Sequence, residues 1–170
     1  MKNKKGDLIW GFVLLIWIVM LVVPTSREMF IEGTEAHPYL GGFVKFAVLA
    51  TMGDLLGIRI LKNEWQIPKG VVFKACVWGV LGIIITLLFT VFFAGTAAAQ
   101  AVGKLPFEGM SVATALFASA TMNLTFGPMM YIYHKFGDLY IDAKLEKFKP
   151  ITVNSLVDNV DWHSMASFSW

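Results

Sequence analysis

An aspartate inside a long apolar run carries the most chemical consequence in this sequence. Asp54 falls within HPYLGGFVKFAVLATMGDLLGIRIL, residues 37–61. From Tyr39 to Leu61 this stretch is long enough to cross a bilayer, for which about 20 apolar residues suffice. A carboxylate near the middle of such a span costs roughly 2.5–3.5 kcal/mol on insertion scales, so it is expected to face protein or water, not lipid. Gly53 and Gly57 flank it as a G-x-x-x-G pair, a spacing that lets a second helix approach closely.

Further polar residues accompany it. Pro128 has no N–H, so the carbonyl of Leu124 loses its usual helical donor, and Asn123 and Thr125 lie within about a turn of that carbonyl. Asp54 is 15 residues past Tyr39 and Gly127 is 16 past Ser111; these two sets are expected at similar depth. Asp54, Asn123, Thr125 and the break at Pro128 would then line a hydrated path for a solute. The alternative is a hydrogen-bonded clasp that fixes helix packing, with Gly127 as a close-approach position. Lys45, Met52 and Arg59 are spaced by seven and share a helix face. The two bases either snorkel to the interfaces or line an anion-attracting passage. His134, Asp138 and Asp142 recur every four residues, a spacing at which imidazole and carboxylates can grip a divalent metal. The simpler reading is a solvated face balanced by nearby lysines, so neither metal nor cofactor is expected. Without a phosphate-cradling glycine loop or a nucleophile elbow, the chain does not read as an enzyme.

These residues need long apolar elements to hold them. Of the 170 residues, 56% are hydrophobic and 15% charged, where a soluble domain carries about 25% charged residues. The expectation is an all-α, multi-pass transmembrane helix bundle over residues 1–150, with spans near 8–26, 39–61, 72–99 and 111–133. Runs this long and unalternated exclude a barrel. Lys2, Lys4 and Lys5 precede the first run, which reads as an uncleaved span; a signal peptide is the alternative, but VVPTSREMF offers no A-x-A cleavage site. The segment Pro24 to Pro38 holds Glu28, Glu32 and Glu35 and no lysine, which suits an outer loop. Lysine and arginine cluster at the N-terminus, after the second run and after the fourth (Lys135, Lys144, Lys147, Lys149). The positive-inside rule therefore places both termini in the cytoplasm, with the protein in the plasma or inner membrane.

The single cysteine, Cys76, excludes an intramolecular disulfide. A net charge of +2, with no basic stripe, excludes nucleic acid as a partner. The expected partners are the lipid bilayer, a second copy through the glycine-rich faces, and an unidentified small solute. After the fourth run, Phe136, Leu139, Tyr140 and Ala143 form an amphipathic segment that Pro150 ends. Residues 151–170 read as a polar tail, and its ending MASFSW as the opening of a further apolar helix, so the chain is expected to be a fragment.

Two stretches together resemble a known family. HP followed 15 residues after the proline by GD, as in Pro38 to Gly53-Asp54, is similar to the first-helix signature of a eukaryotic family. Its members are small four-helix proteins of peroxisomal and mitochondrial inner membranes regarded as channels. NLTFGPMMYIYHKFGD, from Asn123 to Asp138, resembles that family's G-P-x-x-x-x-W-Y-x-x-L-D segment, with Gly127, Pro128 and Asp138 matching in spacing. The chain departs from it at Gly57, Ile58 and Arg59, in the extra apolar run from Ala75 to Ala99, and in lacking a Trp-Asn-rich last helix. The resemblance implies a channel-like or transporter-like protein for small solutes, in a truncated prokaryotic relative. A non-catalytic membrane assembly protein and a metal-dependent membrane enzyme are the alternatives.

Overall fold

The computed structural model describes residues 2–145, 152–158, 160, 162 and 163. These residues are 86% helical and include no strand, so the all-α expectation holds. In chain order the helices are α1 (Lys2–Val22), α2 (Pro24–Ala36), α3 (Pro38–Lys62), α4 (Val71–Ala101), α5 (Ser111–Leu145) and α6 (Val153–Asp158). The chain divides into two compact units, one ending at Gly82 and one starting at Ile83; the boundary falls inside α4.

Prolines set the helix starts in the first unit. Val23 is extended, at φ −73° and ψ 121°, as the residue before a proline prefers. Pro24 then opens α2 and Pro38 opens α3 from the first turn, where a missing N–H costs nothing. Segment 24–36, expected as an outer loop, is therefore a helix, and the first apolar run stops at Val22 instead of near 26. At the corner the Ser26 hydroxyl lies 3.0 Å from the Met20 carbonyl and 3.1 Å from that of Val23. Helix α2 packs on α1 and α3. Asn63, left-handed at φ 53°, ends α3 in the conformation that asparagine tolerates better than most residues.

In the second unit, α4 closes with Gly103 at φ 70°. The Gly103 N–H donates to the Gln100 carbonyl at 2.9 Å and the Lys104 N–H to that of Ala99 at 2.9 Å. This is the paired-bond Schellman ending. Helix α5 then runs unbroken from Ser111 to Leu145 with Pro128 inside it. The fourth apolar run and the amphipathic segment after Tyr133 are thus one helix, where two elements were expected. It packs against α6. Lys147, Lys149, Pro150 and the MASFSW ending lie outside the described residues.

Helices α1, over Lys4–Val22, and α4, over Val71–Ala101, are long and apolar enough to cross a membrane. Large apolar side chains are exposed on every long helix, among them Phe12, Leu40, Ile60, Phe89, Leu116 and Leu124. Exposed apolar surface on this scale marks a face that lipid or protein covers.

Candidate functional site

Helix α3 is the element that positions the charged residues of the first unit, and its two sides have different partners. One side carries Lys45, Met52 and Arg59. Trp10 on α1 donates its indole N–H to the Met52 carbonyl at 3.0 Å. Arg59 reaches Asp7 on α1 through Nε at 3.0 Å and Nη2 at 3.4 Å. Pairings of 10 with 52 and 7 with 59 make α1 and α3 antiparallel. At the other end of the stripe, Lys45 Nζ sits 5.9 Å from the Phe30 ring centroid on α2, within cation–π range. The same ring meets Trp17 edge-on at 6.0 Å. Both bases of the stripe therefore have partners inside the unit, and the shared face they were expected to form is the seam with α1 and α2.

Asp54 lies two residues on from Met52, roughly 200° around a helix of 3.6 residues per turn, and belongs to the opposite side. It is exposed, and Trp78 of α4 donates its indole N–H to Asp54 Oδ2 at 2.7 Å. One turn earlier, the Thr51 hydroxyl is enclosed with no hydrogen-bond partner among the described residues. A buried polar atom in that state commonly marks room for a water or an ion.

The Arg59 end of the seam between α1 and α3 holds a polar group of its own. Asp7 Oδ1 also accepts the Trp65 indole N–H at 2.8 Å, and Arg59 Nη1 donates to Asn63 Oδ1 at 3.0 Å. Trp65 lies so close to Gly6 that a Cβ there would overlap the indole. The salt bridge is half open to solvent, with side-chain exposures of 20% for Arg59 and 47% for Asp7.

Asn123, Thr125 and Pro128 lie on α5 in the second unit, so each is placed by its own helix. Asn123 Nδ2 donates to the Ser119 carbonyl at 2.8 Å, and Thr125 Oγ1 to that of Thr121 at 2.7 Å. Both are exposed. Hydroxyls bonded back to the i−4 carbonyl bend helices, and here the bond falls one turn before Pro128. His134 is buried, with Nε2 3.7 Å from Asp138 Oδ1. Among the described residues no three His, Cys, Asp or Glu side chains are grouped to hold a metal, so Asp142 does not complete a triad with that pair.

The glycines separate into two sets. A Cβ at Gly53, Gly57 or Gly127 would meet nothing within 4 Å among the described residues, so the close approach of another helix expected there is not made by them. The close approach occurs elsewhere. A Cβ at Gly82 would fall on the Gly42 carbonyl oxygen and on Phe46 Cβ, and one at Gly79 on the Phe43 ring.

Sequence reasoning passed over several partners. Asp7 follows the basic residues Lys2, Lys4 and Lys5 in sequence, and a pairing 52 residues away leaves no trace in spacing. Gln100, at the end of the small-residue run AGTAAAQ, is only 3% exposed. Its Nε2 donates to the Pro106 and Phe107 carbonyls, both at 3.0 Å, while Thr114 Oγ1 donates to its Oε1 at 2.7 Å. An amide inside an otherwise apolar run was the available signal. Compared with protein-family models, with curated proteins and with solved structures, the chain finds no match.

Proposed function

We propose that this chain is a multi-pass membrane protein, with spans on α1, α3, α4 and α5 and both termini cytoplasmic, that forms a channel-like or transporter-like passage for small solutes. The observation that carries this reading is Asp54. It is an exposed carboxylate two-thirds of the way along α3 and the one acidic residue of that helix, held by an indole N–H and one turn from the enclosed Thr51 hydroxyl. Ionisable residues within membrane helices mark solute or proton pathways more often than packing sites. The likeness to the channel family at His37-Pro38, Gly53-Asp54 and Gly127-Pro128 points the same way, as do two helices of membrane-crossing length. Asn123, Thr125 and Pro128 are the further passage candidates, on α5. The plasma or inner membrane is the proposed location.

Replacing Asp54 with Asn preserves volume and an acceptor oxygen and removes the charge available for selecting ions. In proteoliposomes, Asp54→Asn should change potassium or chloride flux while leaving the protein folded. Wild-type flux in this variant, together with loss of folding in Asp54→Leu, would reduce Asp54 to a packing clasp.

A second reading is a non-transporting assembly protein. It is favoured by the open Gly53–Gly57 face, where among the described residues nothing lies within 4 Å of an added Cβ, and which suits a second copy.

A further inference from the structure

We infer that Trp78 is the positioning residue for Asp54, an assignment that rests on the passage reading above. Tryptophan offers a donor and no acceptor, so at position 78 its polar contribution is to hold an oxygen of a neighbouring residue. Here that oxygen is Asp54 Oδ2, at 2.7 Å across the seam between α3 and α4, a length typical of charge-assisted bonds. Position 78 is itself fixed. The next residue, Gly79, lies against Phe43, and one turn on Gly82 lies against the Gly42 carbonyl and Phe46. Backbone seated that closely gives the indole little freedom to shift along α3. The carboxylate is therefore aimed by α4 instead of swinging freely from α3, and the open space at Gly53 and Gly57 lies beside it. A displacement of α4 at this seam would move the charge.

Two substitutions separate the carboxylate's charge from its placement. Asp54→Asn keeps an oxygen for the indole and loses the charge; Trp78→Phe keeps the charge and the ring and loses the N–H. The full chain, labelled at tryptophan only, is reconstituted, and the Trp78 indole N–H resonance is assigned by its loss in Trp78→Phe. Potassium and chloride flux and glycerol-driven swelling are recorded on the same preparations, with thermal stability as a control. The expected result has three parts. The resonance moves furthest in Asp54→Leu, which removes the acceptor, and less far in Asp54→Asn, which keeps an acceptor oxygen without its charge. Trp78→Phe changes flux or the potassium-to-chloride ratio by at least about tenfold, the lower end of what loss of one hydrogen bond to a charged group supplies. Its melting temperature stays near wild type.

An indole resonance indifferent to Asp54→Leu overturns the inference, because the bond is then not made. A responsive resonance with wild-type flux in Trp78→Phe also overturns it, leaving the bond structural. If the wild-type protein passes none of the three probes, the passage reading fails, and the positioning role fails with it even when the resonance confirms the bond.

Discussion

Arg59 and Asp7 meet through two nitrogens and two oxygens, at 3.0 and 3.4 Å, and join α3 to α1 across 52 residues of chain. The Trp65 indole completes the contact from outside both helices. A bidentate guanidinium–carboxylate pair fixes geometry better than an ammonium does. Arg59→Lys is therefore expected to lose most of the benefit despite keeping the charge. Asp7→Asn and Arg59→Ala should each lower the melting temperature in detergent, and the exchanged pair Asp7→Arg with Arg59→Asp should recover part of the loss. An exchanged pair no better than the sum of its single variants would rule out a direct pairing.

Gln100 satisfies two loop carbonyls and one hydroxyl from a nearly closed position. Gln100→Ala removes the shared donor of two part-buried hydrogen bonds and the acceptor of a third and should cost about 1–3 kcal/mol. Thr114→Ala removes a single bond and should cost about 0.5–1.5 kcal/mol. Gln100→Glu is the sharper variant. It still accepts from Thr114 but presents oxygen to the Pro106 and Phe107 carbonyls, so it should be at least as harmful as alanine. Amide exchange across residues 102–110 reads the effect directly; a loop equally protected in Gln100→Glu would remove the clasp from consideration.

The two glycine sets should respond oppositely to a methyl group. Gly82→Ala forces backbone and Phe46 apart and is expected to destabilise by about 1–3 kcal/mol, the usual range for overpacking. Gly53→Ala meets open space and should be neutral or stabilising by about 0.5–1 kcal/mol, since alanine is the better helix former. The same Gly53–Gly57 face tests self-association. Gly57→Leu should convert any dimer in mild detergent to monomer without unfolding it, as measured by light scattering. An unchanged assembly would leave the assembly reading without its surface.

Much of the helical plan was legible because apolar runs and basic clusters announce themselves. The second and third runs, 39–61 and 72–99, correspond to α3 and α4 within about a residue or two at each end. The misreadings share a cause. By sequence Pro24 and Pro38 read as the edges of a loop, but proline is as much at home in the first turn of a helix, and both residues open helices. The fourth apolar run ends at Tyr133, which hydropathy alone reads as the end of its helix. Backbone hydrogen bonding sets that boundary instead, and it continues through polar residues to Leu145. At the candidate site, the spacing of seven places Lys45, Met52 and Arg59 along one side of α3. What the face met could not be read, since Asp7, Trp10 and Phe30 reach it only through folding. Asp54 was legible as an anomaly, while its partner Trp78 was one more aromatic residue in an apolar run.

The length of α5 has a mechanical consequence. A helix of 35 residues is about 52 Å long at 1.5 Å per residue, whereas a bilayer's hydrocarbon core is about 30 Å thick. Set upright in a membrane, α5 would stand as a post with roughly 20 Å of its length clear of the apolar layer. The end bearing His134, Asp138 and Asp142 would serve as a handle. Pro128, which lacks the N–H that would tie it to Leu124, would be the articulation between that handle and the rest of the rod, so a load on the end that packs against α6 would be felt as a change of angle at the proline, one turn from Leu124 and close to Asn123 and Thr125.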